Sequence, residues 1–359
     1  MQIKTGRPTI KEVAFAAGVS TQTVSRVING RPDVSPQTRQ HVQDVIDTLG
    51  YQPSELARSL IRQRSFTLGV VTAGLKYIGP SRALNGITSA AEEAGYALLL
   101  KELPRFSTDN VLPILQSFIS HHVDGIIWAV PEVGRNRNWI SELNLNFELP
   151  IVYLTMEPQQ SVSVVSINNY LGGRLAISHL LDRGYKHIGH ISGPLDWWEA
   201  RQRMAAWRDA LAESGSPPQE NHWVEGNWSS ASGTQAVELL IEQYPQIDAI
   251  FAANDQMALS VLQAASRKGV QIPEDLGVVG FDNIPESEYF WPPLTTIQID
   301  QGNVGRLAVE EMIKIIESIW RGVEPIEPKS IMLTPTLVIR QSTLRQHVPN
   351  KEVSRARTV

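Results

Sequence analysis

The stretch TIKEVAFAAGVSTQTVSRVIN, residues 9–29, decides what the N-terminal part of this chain is expected to be. Thr9 and Glu12 have the spacing of a capping box, which predicts a helix that begins at Ile10. Apolar residues at i, i+3, i+4 and i+7 follow, and Gly18 is the residue type that ends helices. Ser20 then predicts the N-cap of a second helix after a very short turn. This arrangement is typical of a helix-turn-helix.

The predicted second helix has a polar face without acidic side chains. Glutamine and arginine on this face are suited to paired contacts with adenine and guanine, and the small polar residues let the helix approach base edges. We therefore predict that Thr21, Gln22 and Arg26 specify the DNA sequence. The full predicted set of DNA contacts in the helical head is Ser20, Thr21, Gln22, Thr23, Ser25, Arg26, Asn29 and Ser35. The alternative is an ordinary helical hairpin on a protein surface.

A third helix and a linker complete the N-terminal region. Ser35 and Pro36 predict its start and Gly50 its end, so residues 1–52 form a small three-helix head. Residues 53–65 are a linker with a short predicted helix over residues 55–61, which would expose Ala57 and Leu60. A helix of this length is only marginally stable on its own in water.

The segments VAFAAGVSTQTVSRVING and VSPQTRQHVQDVIDTLGYQPSELARSL resemble the headpiece of the lactose-repressor (LacI/GalR) family of bacterial transcription regulators. The resemblance is dense over residues 9–60 and continues to about residue 345. It implies that the linker is a hinge helix that pairs with its two-fold mate. In that arrangement Leu60 enters the minor groove of DNA and Ala57 is a further contact. The alternative is a flexible tether whose leucine packs on the protein core.

Composition limits the classes of function. The chain has 359 residues and no cysteine, which excludes disulfides, thiolate zinc sites and thiol catalysis. The N-terminus lacks a signal peptide pattern and no run is long enough to span a membrane, so we expect a cytoplasmic protein without membrane contact. Residues 1–65 carry a net charge of +4 and the remainder −9. We therefore expect only the head to meet phosphate.

Beyond residue 66, β-type runs alternate with amphipathic helices. The predicted strands are Thr67–Thr72, Ala97–Leu100, Gly125–Val130, Ile151–Leu154, His187–Ile191, Ala249–Ala253 and Gly277–Phe281. This alternation predicts parallel sheets covered by helices on both faces, and its length predicts two doubly wound α/β lobes. The resemblance implies a fold similar to periplasmic sugar-binding proteins, with chain crossings near Val165, Pro292–Ile297 and Pro325–Pro328. The lobes would comprise residues 66–165 with 297–324 and residues 166–296 with 325–345, followed by a disordered tail, 346–359.

Polar and aromatic residues follow the predicted strands of both lobes. Ligands of open α/β sheets bind beyond the carboxyl ends of the strands, so these residues would face one cleft. A carboxylate, a guanidinium and an amide can bracket sugar hydroxyls, and aromatic rings can pack against the C–H face of a pyranose. The predicted ligand contacts are Tyr77, Trp128, Glu132, Trp197, Arg201, Trp228, Asn254 and Asp282. Alternatively, Asn254 only caps a helix and about half of the tryptophans belong to the core.

These observations favour a sequence-specific DNA-binding repressor, a homodimer on a pseudo-palindromic operator, whose DNA affinity is controlled by a small carbohydrate between the lobes. We expect no catalytic residue, cofactor or metal, because the glycine-rich and nucleophile motifs of α/β enzymes are absent from the sequence. The alternatives are a purine-type or other co-repressor and a sugar-binding receptor without regulation.

Overall fold

The computed structural model describes residues 8–51, 64–106, 111–142, 149–324 and 326–345. The chain divides into two compact units, Met1–Phe66 and Thr67–Val359. The predicted hinge helix, with Ala57 and Leu60, and the predicted tail, 346–359, lie outside the described residues.

The described residues of the first unit form three helices, α1 (Ile10–Ala16), α2 (Thr21–Ile28) and α3 (Pro36–Leu49). The capping box of α1 is present, because the Thr9 side chain accepts from the backbone N–H of Glu12 and the Glu12 carboxylate accepts from the backbone N–H of Thr9. Ser20 and Ser35 cap the other two helices. Fully buried valines, one from each helix, form the centre of its core: Val13, Val24 and Val42. This packing confirms the predicted helix-turn-helix.

The first lobe of the second unit is built on a six-stranded parallel sheet in the order β11-β5-β4-β3-β1-β2. Its strands are β1 (Thr67–Ala73), β2 (Ala97–Leu103), β3 (Gly125–Ala129), β4 (Ile151–Leu154), β5 (Ser163–Ile167) and β11 (Ser330–Leu333). Its helices are α4 (Ile78–Glu93), α5 (Leu112–Ser120), α6 (Trp139–Glu142) and α11 (Gln301–Arg321).

The second lobe has the strand order β12-β10-β9-β8-β6-β7, and only β12 runs antiparallel to its neighbour. Its strands are β6 (Ile188–Ser192), β7 (Trp223–Glu225), β8 (Ala249–Ala252), β9 (Gly277–Asp282), β10 (Thr295–Gln298) and β12 (Thr336–Val338). Its helices are α7 (Asn169–Asp182), α8 (Trp198–Glu213), α9 (Ser230–Gln243) and α10 (Asp255–Lys268). Three short 3₁₀ segments, Glu220–His222, Pro285–Tyr289 and Gln341–Thr343, complete the described helical structure.

The chain passes between the two lobes after β5, after β10 and after β11. The prediction that the last crossing lies near Pro325–Pro328 is wrong, because β11 pairs with β5 of the first lobe before the chain continues into β12 of the second. Residues 330–333 therefore belong to the first lobe. The second crossing also comes slightly later in the chain than the predicted range, Pro292–Ile297, because β10 (Thr295–Gln298) is still a strand of the second sheet.

Close helix packing joins the late helix α11 to the first lobe. A Cβ atom on Gly86 of α4 would lie 1.9 Å from the carbonyl oxygen of Gly302, and one on Gly305 would lie 2.1 Å from that of Ala83. Glycine at these positions therefore allows the two helix backbones to touch. Among the described helices, none combines the length and the apolar character needed to cross a membrane.

Candidate functional site

A cavity of about 500 Å³ lies between the carboxyl ends of the two sheets, and we call it the cleft cavity. This position is the expected one for a ligand of open α/β sheets, and its volume is within the usual range of small-molecule sites. The first lobe contributes Lys76, Tyr77, Ile78, Gly79, Pro80, Ala83, Ala129, Pro131, Leu154, Thr155 and Gln301. The second lobe contributes Trp197, Glu199, Arg203, Asn227, Trp228, Ser229, Asn254, Gln256 and Asp282.

Aromatic rings from both lobes form one wall of the cleft cavity. The ring of Trp197 lies 5.5 Å from Tyr77 and 5.7 Å from Trp228, in both cases edge to face. Phe106 supports this group from behind, 4.7 Å from Trp197. A Cβ atom on Gly193 would lie about 2.1 Å from the Trp228 ring, so glycine after β6 makes room for that ring. Neighbouring rings of the wall therefore stand at steep angles to each other and do not form a slot between two parallel rings.

Arg203 and Asp282 form the charged end of the cavity. The Arg203 guanidinium lies 3.9 Å from the Asp282 carboxylate and 3.6 Å above the centre of the Phe281 ring. It also donates to the side-chain oxygen of Asn169 and to the carbonyl of Ala253. Burial raises the pKa of Asp282 to about 6, while Arg203 opposes the rise. The guanidinium is thus fixed, and the carboxylate beside it retains capacity for further hydrogen bonds.

Several cavity residues have unusual backbone conformations or unpaired polar atoms. Thr155, Trp228 and Asp282 have positive φ angles of 52°, 71° and 109°, and such conformations are often found at functional sites. Buried polar atoms without a hydrogen-bond partner among the described residues include Glu199 Oε2, Trp228 Nε1, Gln256 Oε1 and Gln301 Oε1. Each of these residues lines the cavity, so a bound molecule can satisfy them.

The predicted ligand contacts divide into two groups. Five of them line the cleft cavity: Tyr77, Trp197, Trp228, Asn254 and Asp282. The Asn254 amide also caps α10 by accepting from Met257 N–H, and it donates to the carbonyl of Trp228. Both interpretations of Asn254 are therefore compatible with its position.

Trp128 does not line the cleft cavity. Its side chain is 5% exposed and packs in the core of the first lobe, with its ring 4.7 Å from that of Trp139. Successive side chains of a strand point to opposite faces, and the next residue, Ala129, is the one that lines the cavity.

Arg201 and Glu132 also lie outside the cavity lining, and they hold the two lobes together. Arg201 donates to the Glu132 carboxylate at 2.9 Å, and this carboxylate is 2% exposed. Val133 and Trp197 form an antiparallel bridge, with backbone bonds from Trp198 N–H to Glu132 and from Gly134 N–H to Asp196. We call these contacts, between residues 132–134 and 196–201, the interlobe latch.

The structure places Arg203, rather than Arg201, in the cavity because of the helical period of α8. Residues four apart share a helix face, so Glu199 and Arg203 point the same way while Arg201 points elsewhere. The sequence-based prediction omitted both residues. Their i, i+4 spacing on the predicted helix was the feature of the sequence that could have placed both residues on one face.

The second candidate surface is the polar face of α2 in the first unit. Thr21, Gln22, Arg26 and Asn29 are exposed, and Arg26 forms an ion pair of 3.3 Å with Asp33. An exposed pair of this kind contributes little to stability, so the guanidinium can be redirected to another acceptor. The hydroxyl groups of Ser20 and Ser35 cap helices by accepting from Thr23 and Thr38 N–H, and the half-buried Ser25 carbonyl accepts from the Asn29 amide.

Comparison with protein families gives two matches. Residues 9–54 match the model described as bacterial regulatory proteins of the lacI family, and residues 177–343 match the periplasmic binding protein-like domain. Catabolite control protein A of Priestia megaterium is 32% identical over 336 residues, which is 93% of this chain and 99% of that protein. The HTH-type transcriptional repressor PurR of Vibrio atlanticus (strain LGP32) is 33% identical over 314 residues, 86% of this chain and 92% of that protein.

Solved structures show the same similarity along nearly the whole chain. The lac repressor dimer bound to operator and the anti-inducer ONPF has a TM-score of 0.84 at 29% identity, covering 95% of this chain and 100% of that one. A complex of the transcriptional regulator CelR with cellobiose has a TM-score of 0.67 at 30% identity, covering 94% and 100%. These relatives are named as regulators of transcription, which supports a regulatory rather than an enzymatic role.

Proposed function

The chain belongs to the lacI family of bacterial regulatory proteins and is a DNA-binding transcriptional repressor, and from that premise we propose that a small carbohydrate in the cleft cavity controls its affinity for operator DNA. A ligand shifts an equilibrium between two arrangements only through its different affinity for each. A cavity lined by both lobes provides such a difference, because its walls change when the lobes move.

The observation that carries this proposal is that one cavity combines an apolar aromatic wall with a carboxylate and an amide. Tyr77, Trp197 and Trp228 offer apolar faces, while Asp282 and Asn254 offer polar groups in the same cavity. A sugar ring has a C–H face and a rim of hydroxyl groups, so both surfaces find partners. One structural relative is a complex with cellobiose.

A purine-type ligand is the second candidate, because relatives of similar identity are named HTH-type transcriptional repressor PurR. A planar base gains most from rings that stack parallel to it. The rings of the aromatic wall meet at 75° and 73°, which does not form such a slot. The geometry of the wall therefore favours the sugar.

On the DNA side, we infer that α2 enters the major groove and that Thr21, Gln22 and Arg26 contact bases. The remaining predicted contacts on the head, Ser20, Thr23, Ser25, Asn29 and Ser35, position the helix or contact phosphate. One three-helix head makes few base contacts, so we also propose that two copies bind a pseudo-palindromic operator. In the second lobe, Tyr289 and Trp291 are 81% and 90% exposed, which is consistent with a covered surface in a dimer.

The test begins with an operator selected from random DNA by the purified protein. Binding to that operator is then titrated with glucose, galactose, cellobiose, lactose, hypoxanthine and guanine. We expect at least one sugar to change operator affinity by tenfold or more. A response to the nucleobases and to none of the sugars would contradict the carbohydrate proposal.

A further inference from the structure

Glu199 is the cavity residue whose chemistry the proposed function leaves unexplained. Its side chain lies in the first turn of α8, lines the cleft cavity and is only 8% exposed. Its Oε2 atom is buried and has no hydrogen-bond partner in the part of the chain that the structure describes. A buried carboxylate oxygen without a partner is costly, so its retention in a cavity wall points to a partner supplied by a ligand.

The charges around Glu199 do not neutralise it. The charged side chains that act on it are Arg203, Arg201 and Glu132. Both arginines already have carboxylate or carbonyl partners, Arg203 beside Asp282 and Arg201 on Glu132. Burial accordingly raises the pKa of Glu199 to about 7, and the bond from its own backbone N–H opposes this only in part.

Apart from the carboxylates of Glu199 and Asp282, the lining of the cavity would attract an anion. Helices α4, α8, α10 and α11 begin at the cavity, as shown by Ile78, Glu199, Gln256 and Gln301 in its lining. The N-terminal turns of helices carry partial positive charge and free N–H groups, which favour phosphates and carboxylates. A carboxylate set among these turns reverses that preference, because like charges repel in a partly dry site.

We propose that Glu199 selects the ligand: its carboxylate accepts hydrogen bonds from hydroxyl groups of a neutral, polyhydroxylated molecule and rejects ligands that carry an acid group at this position. The inference rests on the carbohydrate function proposed above and adds to it a class, neutral sugars as opposed to sugar phosphates and uronic acids. Trp228 Nε1, which is also unpaired, supplies one donor to an oxygen of the same ligand.

The first experiment compares neutral sugars with their acidic counterparts by isothermal titration calorimetry. Glucose, galactose and cellobiose are measured against glucuronate, galacturonate and cellobiouronate, on wild type, Glu199→Gln and Glu213→Gln. Glu213 lies at the other end of α8, is exposed and pairs with Arg174 on the surface, so it is a matched control.

We expect Glu199→Gln to bind the preferred neutral sugar about tenfold more weakly, because a neutral amide is a weaker acceptor than a carboxylate. We expect the same variant to reduce the preference for the neutral sugar over its uronic acid at least tenfold. Glu213→Gln should behave as wild type. Glutamine is close to glutamate in size, and thermal melting checks that each variant is folded.

The second readout is the pH dependence of sugar binding. In wild type, hydroxyl donors stabilise the ionised form of Glu199, so affinity is full above pH 7 and falls as the pH drops below 7. With the pKa of Glu199 at about 7 and that of Asp282 at about 6 in the free protein, the dissociation constant should rise about twentyfold between pH 8 and pH 6, about tenfold through Glu199 and about twofold through Asp282. In Glu199→Gln only Asp282, with a pKa of about 6, still titrates in the cavity, so the rise should be about twofold. Burial also raises the pKa of Asp255 to about 7, but its carboxylate accepts hydrogen bonds from the Thr296 hydroxyl and the Ile284 N–H and does not line the cavity.

The outcomes separate the two proposals. A neutral sugar that binds wild type and Glu199→Gln equally, with the same pH profile, overturns the role of Glu199 and leaves the carbohydrate function intact. Preference of wild type for a uronic acid overturns this inference alone. If none of the neutral or acidic sugars binds wild type, the carbohydrate function fails and the inference fails with it.

Discussion

A single carboxylate, that of Asp282, stands at the end of β9 in a backbone conformation that few residues adopt, with φ of 109°. Its partner Arg203 is held by Asn169 and Ala253, so the geometry of the pair does not depend on a ligand. We predict that Asp282→Asn keeps its operator affinity but binds the sugar about 10- to 100-fold more weakly, because a charged hydrogen bond to a ligand contributes about 1.5–3 kcal/mol. Operator binding measured across sugar concentrations tests this. A variant that still responds at wild-type concentrations would place the ligand elsewhere.

Arg26 on α2 is the residue whose substitution most directly tests base recognition. Its guanidinium is exposed and contacts only the surface carboxylate of Asp33 among the ion pairs of the described residues. We predict that Arg26→Ala weakens binding to the selected operator by about 1–3 kcal/mol and binding to random DNA clearly less, at the same salt concentration. Arg31→Ala, an exposed arginine beyond α2, serves as control. Equal losses on both DNAs would mean that Arg26 contacts phosphate only.

Individual site residues were predictable where a polar residue type and a predicted strand end coincide, as for Asp282 and Asn254. A ligand contact was predicted at Arg201, which follows a predicted strand end and falls on a sugar-contacting position of the family, whereas the structure places Arg203, two residues further along the same helix, in the cavity lining. The period of the helix decides this: Glu199 and Arg203 share the inner face, while Arg201 reaches the first lobe. The predicted ligand contact at Trp128 differs from the structure for an equivalent reason. In a strand, neighbouring side chains point to opposite faces, so Ala129 lines the cavity and Trp128 packs in the core.

At the level of elements, the interlobe latch joins the loop after β3 to the start of α8. The Glu132 carboxylate is buried and accepts hydrogen bonds from the side chains of Arg201 and Arg137 and from the backbone N–H of Glu157. Loss of Arg201 leaves this carboxylate with fewer partners and removes a contact that exists only when the lobes are close. We predict that Arg201→Met binds the sugar about three- to tenfold more weakly, because part of the binding free energy is then spent on closing the lobes.

The matched control for the latch is Arg208→Met on the same helix, since the Arg208 guanidinium forms a surface ion pair with the exposed Glu220, at 3.6 Å. Calorimetry gives the affinities, and small-angle scattering without sugar reports the separation of the lobes. An unchanged affinity together with an unchanged scattering profile for Arg201→Met would show that the latch does not contribute to closure.

Among the twelve described strands, the seven that contain apolar runs were predictable from the sequence: β1 to β4, β6, β8 and β9. The central strands β1, β3, β4, β6, β8 and β9 are continuous apolar runs, and each was predicted from its pattern. The strands β7, β11 and β12 were not predicted, because they are three or four residues long and only partly buried. The strands β5 and β10 were also not predicted, because serine, threonine or glutamine interrupts their short apolar runs. Pairing across the sheet stabilises such strands, and the sequence of a single segment does not record it. The misplaced third crossing followed from missing β11.

For the molecule as a whole, the proposed binding of two copies to a two-fold symmetric operator needs a contact between the copies, and the second lobe offers a surface for this contact. Tyr289 and Trp291, on the segment before β10, are among the most exposed large apolar side chains of the described residues, at 81% and 90%. Burying an aromatic side chain of this size contributes strongly to association. A charge placed at the centre of such a contact must be desolvated without a partner, which opposes association.

We therefore predict that Trp291→Asp shifts the protein from dimer towards monomer in sedimentation equilibrium, while its thermal melting at high protein concentration shows a folded core. Because each monomer carries one head, its affinity for the full operator should fall to that for a single half-site, and sugar binding should be retained. Phe15→Asp is the matched control, since Phe15 is 91% exposed on α1 of the head, away from the predicted base-reading face of α2. If Trp291→Asp remains dimeric at micromolar concentration, the two copies associate through another surface, and the exposed aromatic pair requires a different explanation.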